Sequence, residues 1–431
     1  MVGLIDCDNF FCSCERVFRP DLAHKPVVVL SNNDGCVVAR SREVKAMGIP
    51  DCLPYYQLME RYPNSGIVAF SSNYTLYADM SSRVMAVLRE NVPDVTQYSI
   101  DEAFLDLNGM DHVDLKAWGE ELCRKVERST GMPVSLGIAP SRTLAKVASK
   151  FAKKYPGYRK CCVMATEEQR VKALQLTAAV DVWGIGRRIA RRLEYYGVRT
   201  AYDFAQKNRG WVRGKFHVTG ERTWQELNGD SVIDVDGLDT VAKQTIVTSR
   251  SFPGMLTELS DLRSHIANYA ARCSLKLRRQ NSVCHIVTAF IQSNHFREDL
   301  PQYSNSAYRS FLTPTNTTTE IVGAANAALD SIFRQGISYK RAGVMVSGIT
   351  SGDAVQHDLF TYDPERSEKL RTVSAALDRV NGKMGADMVV LGIQQYRDKG
   401  ADGKSVKFVN AIRRALKSPD YTTRLGAFTV G

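Results

Sequence analysis

The sequence predicts a multidomain α+β protein, and three observations carry that prediction. The first ~165 residues alternate short apolar strands with helical stripes, and from about 166 to 235 the pattern is helical, short and basic. Residues 241–350 then run strand–helix–strand twice, as in a split β-α-β sheet. A chain of 431 residues can hold about three domains, each with its own core.

In the first region, β-branched and apolar runs predict strands at Val2–Ile5, Pro26–Leu30, Cys36–Ala39, Thr96–Ile100, Phe104–Leu107, Val134–Ile138 and Cys161–Met164. Leu76, Met80, Val84 and Leu88 form one stripe of a helix over Asn73–Glu90, and a further helix is expected after Asp111. From Ser141 to Lys154, Leu144, Val147, Ala148 and Phe151 make an apolar stripe, while Lys146, Lys150, Lys153 and Lys154 make a basic face. In the third region, strands are expected near Lys243–Phe252, Val283–Gln292 and Ala342–Ile349, with helices over Asp261–Arg279 and Thr319–Arg334. Arg272, Lys276, Arg278 and Arg279 make this unit a plausible phosphate-gripping surface or a solvated helix face. After about 351 the periodicity loosens.

Composition narrows the class. A formal charge of +11 favours an anionic partner. No apolar run approaches the ~20 residues of a membrane helix. The N-terminus carries Asp6 and Asp8 without a basic leader, so it does not read as a signal peptide. Among ten cysteines, Cys12 and Cys14 are two apart, Cys161 and Cys162 are adjacent, and no CxxC occurs. These spacings fit neither a zinc site nor a disulfide framework, so reduced thiols in a cytoplasmic protein are expected.

Two acids side by side in Tyr98-Ser99-Ile100-Asp101-Glu102 end one apolar run, and Asp6-Cys7-Asp8 ends another. Two strands delivering carboxylates to one edge can hold two divalent cations for phosphoryl transfer, and hard oxygen donors suit Mg²⁺ or Mn²⁺ rather than zinc. The plain alternative is a hairpin cap. Neighbours on a regular strand point to opposite faces, so Asp101 and Glu102 can serve one site only from a turn or bulge.

Two further motifs stand out. In Asp181-Val182-Trp183-Gly184-Ile185-Gly186-Arg187-Arg188, the glycines would let backbone amides approach a phosphate at a helix N-terminus; the alternative is a tight interhelical turn. Gln356-His357-Asp358-Leu359-Phe360 places two large apolar side chains on a loop, either as an anchor for a partner's pocket or tucked onto its own domain.

Asp6, the aromatic pair Phe10-Phe11, Ser99-Ile100-Asp101-Glu102-Ala103-Phe104, the lysine helix and the GIG turn occur in one order that resembles the Y-family of translesion DNA polymerases. Within it the chain resembles the UmuC branch, catalytic subunits of DNA polymerase V with plasmid and mobile-element relatives. The carrying stretches are Arg19–Leu22, Lys25–Cys36, Phe70–Met80, Asp181–Arg188, Ser249–Phe252, Ala342–Met345 and Ser418–Arg424.

The resemblance implies a right-hand polymerase. Its palm would be 1–30 and 76–165, its fingers 31–75, its helix-hairpin-helix thumb 166–235 and its little finger 241–350. A C-terminal segment, 351–431, would carry a sliding-clamp peptide. Carried over residue by residue, Asp6, Asp101 and Glu102 would hold two Mg²⁺ ions with the Cys7 backbone carbonyl. Phe10 and Phe11 would line the nucleotide site with Phe11 as steric gate, where UmuC usually has Tyr. Lys153, Lys45 and Arg42 would contact the triphosphate, although Arg42 stands where other members of the family place Tyr. Gly184, Gly186, Arg187 and Arg188 would grip the DNA backbone, and Gln356, Leu359 and Phe360 would enter the bacterial sliding clamp. Primer-template DNA, dNTP, a processed UmuD dimer and the RecA filament are the implied partners, with no membrane and with nucleoid association in the cytoplasm. The implied activity is error-prone dNTP addition past lesions in the SOS response. A palm-type nucleotidyl cyclase lacks need of the GIG turn and the clamp peptide, and a silent DNA-bound adaptor has no need to keep Asp6, Asp101, Glu102 and Lys153.

Overall fold

The computed structural model describes residues 1–110, 112–235, 242–360, 362–385, 387–394, 414–419 and 421. It divides into two compact units, Met1–Leu238 with Arg413–Gly431, and Asp239–Ile412.

The first unit runs β1 (Val2–Cys7), α1 (Phe10–Val17), β2 (Val27–Leu30), β3 (Val37–Arg40), α2 (Arg42–Ala46), α3 (Tyr55–Arg61), β4 (Val68–Ser71) and α4 (Tyr74–Arg89). It continues with β5 (Asp94–Gln97), β6 (Glu102–Asp106), α5 (Leu115–Thr130), β7 (Val134–Ala139), α6 (Arg142–Lys154) and β8 (Cys161–Val163). The helices α7 (Glu167–Gln175), α8 (Arg187–Tyr195), α9 (Ala201–Ala205) and α10 (Arg209–Leu227) follow.

A five-stranded sheet has the order β5-β6-β1-β7-β8, with β1 antiparallel to both its neighbours. The alternation of β1 assigns its faces. Ile5 packs with Leu105, Leu136, Met80 of α4 and Leu122 of α5, whereas Leu4 packs with Phe104 and with Leu144 and Val147 of α6. Asp6 lies two residues from Leu4, and Glu102 two from Phe104, so both acids share the α6 face of the sheet. Gly137 on β7 permits the close approach of α6, because a Cβ there would overlap the Ala145 carbonyl and the Ser149 amide.

A second sheet has the order β3-β2-β4. Strand β2 pairs with β3 and β4, and not with the strands of the larger sheet. All four of its side chains are buried, Val28 and Leu30 in a core with Val44 and Leu58, and Val27 and Val29 in the core beneath the larger sheet.

The second unit contains β9 (Ile246–Leu256), α11 (Leu259–Arg279), β10 (Ser282–Ser293), β11 (Ser304–Thr315), α12 (Thr318–Ile332), β12 (Tyr339–Ser351) and α13 (Pro364–Met384). Its antiparallel sheet, β11-β10-β12-β9, carries α11 and α12 over an apolar core. Strand β11 and helix α13 were not expected from the sequence. The side chains of β11 are mostly exposed at a sheet edge, and α13 buries only Ser374, so neither shows an apolar stripe. Asp363 caps α13 by accepting from the Arg366 amide at 3.0 Å. Among the described residues no helix is long and apolar enough to cross a membrane.

Candidate active site

The carboxylates are delivered by a cross-strand pair and a hairpin. Asp6 and Glu102 are register partners on β1 and β6. Asp101 sits in the turn before β6, where the amides of Tyr98 and Ser99 donate to the Glu102 carbonyl at 3.0 and 3.1 Å. The Ser99 hydroxyl donates to the Asp101 carboxylate at 2.5 Å and accepts from the amides of Asp101 and Glu102. The Cys7 amide donates to the Asp101 carbonyl at 2.9 Å and ties the turn to the end of β1.

Helix α6 supplies the counter-charge. Ser141 caps it, and its basic face presents Lys146, Lys150 and Lys153 at helical spacing. The Lys153 ammonium lies 2.5 Å from Asp6 and 3.8 Å from Asp8. Lys146 donates to both oxygens of Glu102, at 3.0 and 2.9 Å, and stands over the Tyr98 ring at 4.6 Å and the Trp183 ring at 5.3 Å. Asp8 turns away to Lys160 at 2.5 Å and to the Ser135 hydroxyl at 3.0 Å. Each acid thus faces a different partner, and among the described residues no three acidic, cysteine or histidine side chains converge as they would around one ion.

The donor set nevertheless suits a hard cation. Burial raises the Asp6 carboxyl to about 6; Lys153 opposes that rise, and Glu102 and Asp101 add to it. Acids still short of positive charge beside a lysine are what a divalent cation relieves. Burial, and then the charges of Asp6 and Asp101, push the Cys7 thiol far up. A thiol held neutral adds no soft thiolate donor to the set, which favours oxygen-seeking ions over zinc.

A cavity of about 320 Å³ opens beside Asp6 and Asp101, and Phe10, Phe11, Lys45 and Lys153 line it. Phe10 is buried in the core, while Phe11 is half-buried and stacks on Tyr77 with centroids 4.5 Å apart. Lys45 donates to Asn9 at 2.6 Å, and burial, then the Arg40 and Lys153 charges, lower its pKa. Arg42 is exposed at the start of α2 and is not among the residues that line the cavity. Arg40, two residues earlier at the end of β3, does line it, beside Asp51 at 2.5 Å. Arg40 and Asn9 carry no signal in the sequence, and Lys146 is marked there only as part of a basic face. For Lys146 the signal was its place on the same helical face as Lys153.

Gly184 adopts φ +89, and a Cβ there would lie 2.6 Å from the Thr223 hydroxyl, so the turn requires glycine. Gly186 precedes the first turn of α8, where Arg187 and Arg188 are exposed. In the second unit, Gln356 is exposed, and Leu359 and Phe360 are 93% and 92% exposed, so the loop does not tuck them onto its own domain. Of the C-terminal motif, Ser418, Pro419 and Tyr421 are described, and Asp420 and Thr422 to Arg424 lie outside the described residues.

Residues 5–150 match the model of the impB/mucB/samB family, and residues 243–359 match the model of that family's C-terminal domain. Protein UmuC of Salmonella typhimurium is 41% identical over 98% of both chains. Protein ImpB of Salmonella typhimurium is 41% identical over 88% of this chain and 90% of its own. DNA polymerase IV of Caulobacter vibrioides is 25% identical over 91% of this chain and 93% of its own. A solved Y-family DNA polymerase chimera shares the fold, with a TM-score of 0.65 and 20% identity over 81% of this chain and 99% of its own.

Fold and site together define the class: an α+β multidomain DNA-directed DNA polymerase of the Y-family, acting in translesion synthesis. The chain belongs to the impB/mucB/samB family.

Proposed function

We propose that the polymerase adds dNTPs to a primer 3′-hydroxyl at the edge of the five-stranded sheet, where Asp6, Asp101 and Glu102 hold two Mg²⁺ ions with the Cys7 carbonyl. The observation that carries this reading is the convergence of Asp6 and Asp101 on a cavity walled by cations and Phe11, with Glu102 beside them as the register partner of Asp6. When bound, the ions supply charge stabilisation to the attacking and leaving oxygens of phosphoryl transfer. Lys45 and Lys153 bind the triphosphate, and Arg40 adds charge to the same wall, a part first expected of Arg42. The Phe11 ring, held by Tyr77, takes the space of a ribose 2′-hydroxyl and selects deoxy sugars; its bulk serves without the hydroxyl of Tyr. Attack of the primer 3′-oxygen on the α-phosphate forms the new phosphodiester and releases pyrophosphate.

In this reading the two sheets and α7–α10 correspond to palm, fingers and thumb, and the second unit to the little finger, with the fingers beginning at β2. Gly184 and Gly186 with Arg187 and Arg188 hold the DNA backbone without reading sequence. The Gln356 loop, with Leu359 and Phe360, docks on the bacterial sliding clamp. Processed UmuD and the RecA filament complete the assembly at the nucleoid during the SOS response. The exposed Leu359–Phe360 pair and the basic turn favour this reading over a cyclase, and the retained acids favour it over a silent adaptor.

The test is primer extension against a Mg²⁺ titration, on intact and abasic templates, with EDTA as the zero point. Extension that rises with Mg²⁺ and vanishes in EDTA is expected. Equal extension in EDTA overturns the reading.

A further inference from the structure

Residues 414–419 and Tyr421 belong to the first unit and lie beside the residues that hold Phe11. Leu416 and Lys417 extend the small sheet at the free edge of β4: the Ser71 amide donates to the Leu416 carbonyl at 3.0 Å, and the Leu416 amide donates to the Ser71 hydroxyl at 2.9 Å. The Ala415 amide donates to Asp34 at 2.9 Å. Beyond them Tyr421 stacks on Phe18, with centroids 4.7 Å apart and planes at 6°.

Between these anchors the Ser418 hydroxyl accepts from the Asn73 side chain at 3.0 Å, with both residues buried. Asn73 caps α4, the helix that carries Tyr74 and Tyr77. The Tyr77 hydroxyl donates to Glu15 at 2.8 Å, and neither residue reaches solvent. Tyr77 stacks on Phe11, and Tyr74 meets the same ring edge-on at 5.9 Å. Burial raises the Glu15 carboxyl, while the hydroxyls of Tyr77 and Ser418 favour its charged form. The tail therefore bears on the tyrosine behind Phe11 through Asn73, the cap of its helix, while Glu15 holds the hydroxyl of the same tyrosine from the other side.

We propose that residues 414–419 with Tyr421 form an internal strap that fixes Tyr77 and thereby Phe11, making Ser418 and Glu15 positioning residues for sugar selection. This rests on the reading of Phe11 as the sugar gate. A tail that merely stabilises the fold would change melting temperature and leave the choice between dNTP and rNTP untouched. A strap that sets the ring changes that choice in a folded enzyme.

The experiment measures single-nucleotide kcat/KM for a dNTP and its matching rNTP with the full-length chain and the variants Phe11→Ala, Ser418→Ala, Tyr421→Ala, Glu15→Leu and Glu15→Gln. Phe11→Ala is expected to raise rNTP use. Ser418→Ala and Tyr421→Ala are expected to lower dNTP-over-rNTP selectivity about fivefold, the scale of one lost buried hydrogen bond, with KM for the dNTP moving more than kcat. Glu15→Leu should lower it as well, while Glu15→Gln, which still accepts from Tyr77, should restore it. Should Phe11→Ala leave rNTP use unchanged, the gate reading falls and the strap with it. If Phe11→Ala raises rNTP use while folded Ser418→Ala and Tyr421→Ala select as wild type does, the strap alone is overturned.

Discussion

Asp6 and Glu102 face each other across β1 and β6, yet two lysines divide them, Lys153 taking Asp6 at 2.5 Å and Lys146 taking Glu102 at 2.9 Å. Both lysines come from one face of α6. The helix therefore sets the charge balance of the acid cluster. Lys146 is the informative one, because it pairs with Glu102 while standing over the Tyr98 and Trp183 rings, and it does not line the cavity beside Phe11. Lys146→Ala is expected to lower nucleotide incorporation roughly tenfold, the scale of a lost charge-assisted hydrogen bond. Single-turnover kinetics check it, and an unchanged rate contradicts a role for Lys146 in holding Glu102.

The packing of α6 on β7 depends on Gly137. A methyl group there overlaps the backbone of α6, so the helix must shift or the core must open. Gly137→Ala is expected to cost about 2 kcal/mol in urea unfolding and to reduce incorporation through displaced Lys153. Wild-type stability in this variant contradicts the packing account.

Much of this arrangement is legible in the sequence, for physical reasons that differ by element. Strand β1 reads clearly because Leu4 and Ile5 are both buried, and α6 because its apolar and lysine faces alternate at helical period. The turn at Asp101 follows from two acids needing one site. By contrast, Val27–Leu30 is buried on both faces, and a strand without alternation does not say which sheet it joins. Arg40 shows a different limit. It lines the cavity because β3 ends beside it, a relationship between distant segments that no spacing within Arg40–Arg42 encodes. Helix α13 is tied by the ion pair of Arg278 with Asp378, and the segment just after it by Arg272 with Asp387, rather than by an apolar stripe, so periodicity does not mark it.

The second unit carries its own pH dependence. His265 is buried against Phe252 and Tyr269, and burial, with a smaller push from the Arg250 charge, lowers its pKa from 6.5 to about 4. The unfolded chain then binds the proton more readily. The neutral form stabilises the fold above pH 6.5, and that stability is lost as pH falls toward about 4, amounting to about 3 kcal/mol. Unfolding by urea at pH 7.5 and 4.5 is expected to show a smaller pH difference in His265→Phe than in wild type. An equal difference contradicts the buried neutral histidine.

Leu359 and Phe360 are more than nine-tenths exposed, so removing them costs the fold almost nothing. The double substitution Leu359→Ala with Phe360→Ala is expected to keep the wild-type melting temperature and unassisted extension while losing binding to the sliding clamp in a pull-down with purified clamp. Retained clamp binding contradicts the anchor assignment.

The central claim is that Asp101, with Asp6 and Glu102, is the catalytic centre of a translesion polymerase. Its most direct test is primer extension on an abasic-site template with Mg²⁺, comparing wild type with Asp101→Ala, with and without the clamp, UmuD and RecA, and measuring DNA binding in parallel. Extension by wild type alone, with equal DNA binding by both, is the predicted result; extension by Asp101→Ala near the wild-type level contradicts it.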